Sequence, residues 1–363
     1  MPMMSPLFPA GSLNGRRASL LGAIKLAIGA FLALATMELV ALRVSNYKRS
    51  VDPVFGRIMM PGHTLYSSVE GHGRAHYIDH GIRRKERWDP QGPAPVLVLG
   101  DSYTEALQVT DDQVFSGLLE QRWLAHGIDV PVLNFSSSGF SAADYVAMAP
   151  KLLSHFNPRW VIVQAHVSDF SDDAWKETKA HFEKGSEDEA LKVVSPQREP
   201  RKQSELWLVN RFALTLCTIG RIEEYVLTSA KERPLFRAAQ RGGQRRIAAP
   251  PKAEPDYPIS EELELLDKAY GRRLTILLIS SYNPRDPLAL AEKDRGFLEN
   301  AKVLGIDVVE LRASYPGFAR DGIAPFGFPN TQFNSGHWNA RGHAAAADLL
   351  EKNFLLRHTD VIQ

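Results

Sequence analysis

Cysteine is all but absent from this chain: Cys217 is the only one in 363 residues. That excludes an internal disulfide framework and a cysteine-rich zinc centre. Cys217 sits in an apolar stretch, where packing is its expected role. An excess of one charge is missing too. Lys and Arg total 43, Asp and Glu 42, for a net charge of +1. Nothing in that balance calls for nucleic acid as a partner. The 11 histidines form no metal-ligand cluster in sequence. His72, His76 and His80 recur every fourth residue, but Gly71, Gly73 and Gly81 disfavour the helix that would align them. The reading therefore calls for no metal and no cofactor.

Long hydrophobic runs are scarce as well; there is one. Leu20 to Val44 is apolar apart from Lys25, Glu38 and Arg43, with Arg16 and Arg17 ahead of it and Lys48 and Arg49 behind. About 20 apolar residues span a bilayer core, and Leu26 to Leu42 approaches that length with one glutamate. A cleaved signal peptide has a shorter apolar core and a small-residue exit. The expectation is an uncleaved transmembrane anchor at 20–44, behind an N-terminal tail at 1–19. The bulk of the chain then lies in the periplasm or otherwise outside the cytoplasm, tied to the membrane through this helix.

Beyond the anchor the pattern changes. Residues 45–93 lack long periodic segments and read as a linker with short strands that brace the entrance to a domain at 94–357. In that domain apolar strands alternate with helices. Val96–Leu99 is a strand, Asp112–Ala125 a helix and Val130–Phe135 a strand. Ser141–Phe156 is a helix that Pro150 should kink or split. Trp160–Gln164 is a strand. The alternation returns with helix Glu261–Tyr270, strand Leu274–Ser280, helix Leu288–Leu304, strand Ile306–Leu311 and helix Ala344–Leu356. Such alternation predicts a parallel, five-stranded sheet covered by helices. An insertion at about 174–259 interrupts it. It is charged and proline-rich, with an amphipathic helix at Leu206–Leu227, either a lid or a packing element, and a basic loop at Arg237–Lys252.

Three segments carry chemistry. Gly100-Asp101-Ser102-Tyr103-Thr104 follows directly on a strand, where a glycine bends the backbone and a serine hydroxyl is presented at a carboxyl edge. Asn134-Phe135-Ser136-Ser137-Ser138-Gly139-Phe140 ends the second strand, and the Gly139 N–H can face the same cleft. Asn334-Ser335-Gly336-His337 leads into the last helix and leaves His337 on a loop.

Together these segments resemble the SGNH (GDSL-type) hydrolase superfamily over roughly Gly62 to Phe354. Tyr77 to Arg83 also resembles the lead-in of its membrane-anchored bacterial members. The resemblance implies a flavodoxin-like three-layer α/β sandwich. It implies Ser102 as nucleophile, His337 as general base, and the N–H groups of Ser102 and Gly139 as oxyanion donors. Two blocks depart from the family. Where it has Gly-x-Asn-Asp, this chain has His166-Val167-Ser168-Asp169, so Ser168 stands at the asparagine donor. Losing one such donor typically costs about 10²–10³ in rate. Where the family has Asp-x-x-His, this chain has Asn334 three residues before His337. An asparagine can hold an imidazole but cannot stabilise its cation, and Asp→Asn costs a serine protease about 10⁴ in turnover. Asp101, His166 and Asp169 are auxiliary candidates; of the carboxylates just beyond the third strand, Asp169 is an alternative acid, whereas Asp172 and Asp173 read as solvated loop charge. The implied activity is ester hydrolysis or O-acyl transfer on glycan or lipid acyl esters of the cell envelope. The competing expectation is a catalytically weakened protein of this fold that binds surface glycan or scaffolds an envelope assembly.

Overall fold

The computed structural model describes residues 13–44, 49–68, 70–170, 180–184, 189–194, 258–331 and 334–359, with side chains of the first helix described over 21–36. The chain opens with helix α1 (Leu13–Val44). Two antiparallel hairpins follow: β1 (Arg49–Asp52) with β2 (Gly56–Met59), and β3 (His63–Ser67) with β4 (Gly73–Tyr77). Among the described residues no helix is long and apolar enough to cross a membrane. Residues 21–36 amount to about 24 Å of helix at 1.5 Å per residue. Leu26, Phe31 and Leu34 in that stretch are exposed.

The α/β part is built on β5 (Val96–Gly100), a short helix α2 (Ser102–Glu105), α3 (Phe115–Ala125), β6 (Val132–Ser136), α4 (Ala142–Phe156) and β7 (Trp160–His166). A small hairpin, β8 (His181–Glu183) with β9 (Lys192–Val194), comes next. Then follow α5 (Ile259–Tyr270), β10 (Leu274–Ile279), α6 (Glu292–Leu304), β11 (Asp307–Glu310), α7 (Tyr315–Arg320) and α8 (Ala340–Arg357). The five strands β6, β5, β7, β10 and β11 form one sheet in the order β11-β10-β7-β5-β6, and every pairing is parallel. The chain enters the sheet at β5, places β6 on one side of it and everything later on the other. The order therefore reverses beside β5, and ligands of open α/β sheets bind at the carboxyl ends of strands at that point.

Alternation along each strand makes the three layers. Leu97 and Leu99 of β5 pack with Leu152 of α4, Leu263 of α5 and Phe297 of α6 on one face. Val96 and Val98 pack with Leu119 and Trp123 of α3 and with Leu350 and Phe354 of α8 on the other. All five residues of β5 are buried, as a central parallel strand requires. Each fully buried Leu, Val or Phe contributes about 1.5–3 kcal/mol.

Helix boundaries differ from expectation by a few residues. The segment 288–291 is loop rather than helix, and the last helix starts at Ala340, where Asn339 caps it by accepting from the N–H groups of Arg341 and Gly342. Pro150 neither splits nor ends its helix: α4 runs unbroken from Ala142 to Phe156. Pro150 removes one backbone donor, but Ala149, Leu152 and Phe156 around it are buried against the sheet and hold the helix together. Of the expected insertion, β8 and β9 are described, and Phe182 and Leu191 join the core beside α4. The expected helix at Leu206–Leu227, the basic loop at Arg237–Lys252, Cys217, Asp172 and Asp173 lie outside the described residues.

Candidate active site

The turn after β5 is fixed by its own backbone. A Cβ at Gly100 would collide with the Thr104 side chain, so only glycine lets α2 fold back this tightly on the strand. Asp101 caps α2: its Oδ1 accepts from the Tyr103 N–H at 2.9 Å. Burial pushes the Asp101 carboxyl up, while the Tyr103 N–H and the nearby His166 and His337 pull it the other way. Ser102 is thus the first residue of α2, where helix N–H groups have no intrahelical acceptor.

His337 Nε2 lies 2.9 Å from Ser102 Oγ. Its backbone is held on both sides, with its N–H on Glu70 Oε1 at 2.7 Å and its carbonyl accepting from the Gly327 N–H at 3.0 Å. The neighbouring Trp338 is fully buried. The Tyr103 ring packs on the imidazole with centroids 4.9 Å apart, and its hydroxyl donates to the Gly336 carbonyl at 3.3 Å. Burial, then the charges of Asp101, Glu70 and Asp169, push the Tyr103 phenol up to about 12, so it stays a neutral donor.

The other ring nitrogen of His337 decides the site. Nδ1 lies 2.5 Å from Glu70 Oε2. Asn334, expected in that place, does not occupy it. Its Nδ2 donates to the Tyr282 carbonyl at 3.4 Å, and its Oδ1 is buried with no partner among the described residues. Its backbone is left-handed, at φ +57°. Asp169 does not serve either: its Oδ2 accepts from the His166 N–H at 2.8 Å and so caps the turn after β7. The carboxylate comes instead from the tip of the β3–β4 hairpin.

That hairpin is seated by specific contacts. Gly71 and Gly73, on either side of His72, press against the backbone of Leu107 and Gln108, where any Cβ would collide. The Asn330 side chain clamps the tip, accepting from the Gly71 N–H at 2.9 Å and donating to the Ser68 carbonyl at 3.2 Å. Below the tip, Arg83 is buried and spends its guanidinium on the carbonyls of Glu105, Ala106 and Val109 and on Asp111. Asp111 in turn takes the His76 imidazole. The lead-in is therefore stitched to the loop behind Ser102. Gly336 completes the fit: it has φ +83°, and a Cβ there would collide with Glu70 Oε1.

The remaining expected residues line the same carboxyl edge. Gly139, at φ +82°, lies in the loop after β6. That loop is tied to β5 through the Ser137 N–H on the Gly100 carbonyl at 3.2 Å. It is tied to α2 through Glu105, a fully buried carboxylate whose Oε2 accepts from the Ser138 N–H at 2.8 Å and from the Ser138 hydroxyl. Ser168 is exposed on the turn Val167–Phe170. His166 ends β7 with its ring 6.1 Å from that of Tyr103. Burial lowers its pKa, against the pull of Asp101 and Asp294, so it is a neutral imidazole at pH 7.

Sequence reading missed Glu70 and Glu105. Glu70 is separated from His337 by 267 positions, and its only local sign is the glycines that follow it between two short alternating strands. Chemically, a serine hydroxyl on an imidazole whose far nitrogen meets a carboxylate can be deprotonated for attack on an acyl carbonyl, and the carboxylate stabilises the imidazolium that forms.

No protein-family model matches the chain. An arylesterase of Vibrio mimicus is 34% identical over 79 residues, which is 22% of this chain and 40% of that protein. Esterase TesA of Pseudomonas aeruginosa is 36% identical over 69 residues, 19% of this chain and 34% of its own length. The chain thus spans well under half the length of the curated relatives it matches. Among solved structures, one of TesA aligns with a TM-score of 0.37 at 15% identity, covering 72% of this chain and 97% of that one. A catalytic mutant of the acetylxylan esterase Axe2 from Geobacillus stearothermophilus aligns at 0.37 and 12%, covering 72% and 94%. In its Gly100–Thr104 segment and in the order of its serine-, glycine- and histidine-bearing segments, the chain resembles the SGNH (GDSL-type) hydrolases, and the relatives it matches by sequence are esterases.

Proposed function

We propose that this chain is a serine esterase of the SGNH type that works through Ser102, His337 and Glu70. The observation that carries the proposal is the continuous hydrogen-bonded line from Ser102 Oγ through His337 to Glu70. His337 takes the Ser102 proton as Oγ attacks an acyl carbonyl, and Glu70 holds the imidazole and balances its charge. The tetrahedral oxyanion is met by the N–H groups of Ser102 and Gly139, with Ser168 and the neutral His166 on the rim as further donors. His337 then protonates the departing alcohol oxygen. Water or a sugar hydroxyl resolves the acyl-enzyme, giving hydrolysis or O-acyl transfer.

The substrate class is that implied by the resemblance: acyl esters on glycans or lipids of the cell envelope. An envelope setting is supported by α1, where Leu26, Phe31 and Leu32 stand about 100–140° apart around the helix and are all exposed among the described residues. A helix apolar on all sides belongs in a lipid environment. In this proposal α1 anchors the chain, with the site outside the cytoplasm. The test is a fluorophosphonate probe on full-length protein in detergent. Wild type should label and Ser102→Ala should not. Equal labelling of the two, or none of wild type alongside no turnover of p-nitrophenyl acetate, overturns the esterase reading in favour of a binding protein.

A further inference from the structure

We propose that His80 and His155 form a two-histidine site for a divalent transition-metal cation, best suited to Cu²⁺ or Ni²⁺. The pair lies on the lead-in and on α4, in none of the contacts that build the Ser102 line.

His80 sits in the 3-10 turn Asp79–Gly81 with a left-handed backbone, φ +59° and ψ +14°. Its Nδ1 is 2.8 Å from Asp52 Oδ2. The other Asp52 oxygen accepts from the N–H groups of Val54 at 2.7 Å and Phe55 at 2.9 Å. Both Asp52 oxygens are thus used as acceptors, one by two backbone N–H groups and the other by the His80 imidazole. An anionic acceptor fixes the His80 proton on Nδ1 and leaves Nε2 with a free lone pair. A carboxylate on the far nitrogen of a histidine is also the outer-shell pattern of metal-bound imidazole.

His155, in the last turn of α4, brings its Nε2 to 2.9 Å from His80 Nε2. The ring centroids are only 4.3 Å apart, with the planes at 78°. Two imidazoles in a head-on N–H···N bond of that length would have centroids about 5.2 Å apart, taking about 1.15 Å from centroid to nitrogen. The shorter separation means that the contact is not head-on, and it is compatible with both lone pairs turning towards one point beside the nitrogens. A cation about 2.05 Å from each nitrogen, with a bond angle near 90°, would put the nitrogens about 2.9 Å and the centroids about 4.5 Å apart. A tetrahedral angle would put the nitrogens about 3.3 Å apart. The pair therefore fits two adjacent positions of a square-planar or octahedral ion, which favours Cu²⁺ and Ni²⁺ over Zn²⁺.

The surroundings support this reading. Phe55 and Phe156 set their rings against both imidazoles and restrict them. The site is at the carboxyl end of a 15-residue helix, where the helix dipole favours a cation. Among the described residues no group of three or more His, Cys, Asp or Glu side chains gathers to bind a metal, so the remaining positions would hold water. Binding needs no net proton loss from neutral imidazoles. The proton that His155 carries on Nε2 in the free pair moves to its Nδ1, and both Nε2 lone pairs go to the ion.

The experiment is a titration of the full chain in detergent with NiCl₂ by calorimetry, and with CuCl₂ by electron paramagnetic resonance. Wild type should hold one Ni²⁺ at least tenfold more tightly than His155→Ala, and its Cu²⁺ spectrum should show two equatorial imidazole nitrogens. His155 is exposed, so its truncation should leave the fold intact. His80→Asn, which tolerates the left-handed backbone, should lose the same equivalent. His126→Ala, on an exposed histidine elsewhere, should not. Ni²⁺ should raise the unfolding temperature of wild type and not of His155→Ala, because the ion joins the lead-in to α4. Equal affinity and stoichiometry in wild type and His155→Ala would show that the pair is a hydrogen bond only.

Discussion

The two ends of the Ser102–His337–Glu70 line are held in different ways. Ser102 follows the central strand of the sheet, all of whose residues are buried, and its turn is bonded within five residues of itself. Glu70 sits at the tip of a two-stranded hairpin outside that sheet, with about 18% of its side chain exposed. What holds it is a short set of contacts: the two His337 nitrogens, the Asn330 amide, and the close approach of Gly71, Gly73 and Gly336. The nucleophile thus inherits its geometry from the core. The acid depends on a few surface contacts, and those can be cut without unfolding the domain.

Four substitutions test that difference. Glu70→Gln should lower kcat for p-nitrophenyl acetate by about 10³–10⁴ with little change in KM, because an amide cannot balance the imidazolium. Asn334→Asp in wild type should change kcat by less than about threefold, since Nδ1 of His337 is already taken. A silent Glu70→Gln with a large gain from Asn334→Asp would reverse the assignment of the acid. Gly336→Ala should cost about 10² in kcat, because it pushes Glu70 aside by something near 1 Å. Its melting temperature should move less than its turnover does. Asn330→Ala removes two bonds worth about 1 kcal/mol, so turnover should fall no more than about fivefold while Ser102 still labels with fluorophosphonate.

A fifth test lies in the core beneath the site. His343 is buried between Trp338 and Phe115, and desolvation, then the charges of Arg83 and His337, press its pKa down to about 3 from 6.5. The folded state therefore keeps it neutral while the unfolded chain takes up a proton below pH 6.5. Folded stability falls as pH drops from 6.5 towards 3, by about 1.4 kcal/mol per pH unit for this one group. Urea denaturation at pH 7, 5.5 and 4.5 should show a shallower acid loss in His343→Leu than in wild type. Parallel curves would mean that His343 is solvated and the packing around His337 is looser than described.

Five strands, the helices between them and the Ser102 turn could be read from the chain because each is specified locally. Apolar runs of strand length, Gly100 before Asp101 and Asn339 ahead of the last helix act within a few residues of themselves. The same holds for His337, whose loop position follows from the helix that begins at Ala340. Pro150 does not split its helix, because the burial of its neighbours holds the two halves together. Asn334 misled because it stands where a local motif has its acid, whereas the acid here is not local.

By itself, then, the sequence determined an α/β sheet with a serine at its switch point and a histidine on the last loop, since periodicity and turn chemistry are properties of short segments. Only the tertiary structure decided which group completes the line. Glu70 reaches His337 because Arg83, Asn330 and three glycines lock a distant hairpin against the loops beside Ser102, and no short-range pattern encodes that contact across 267 positions.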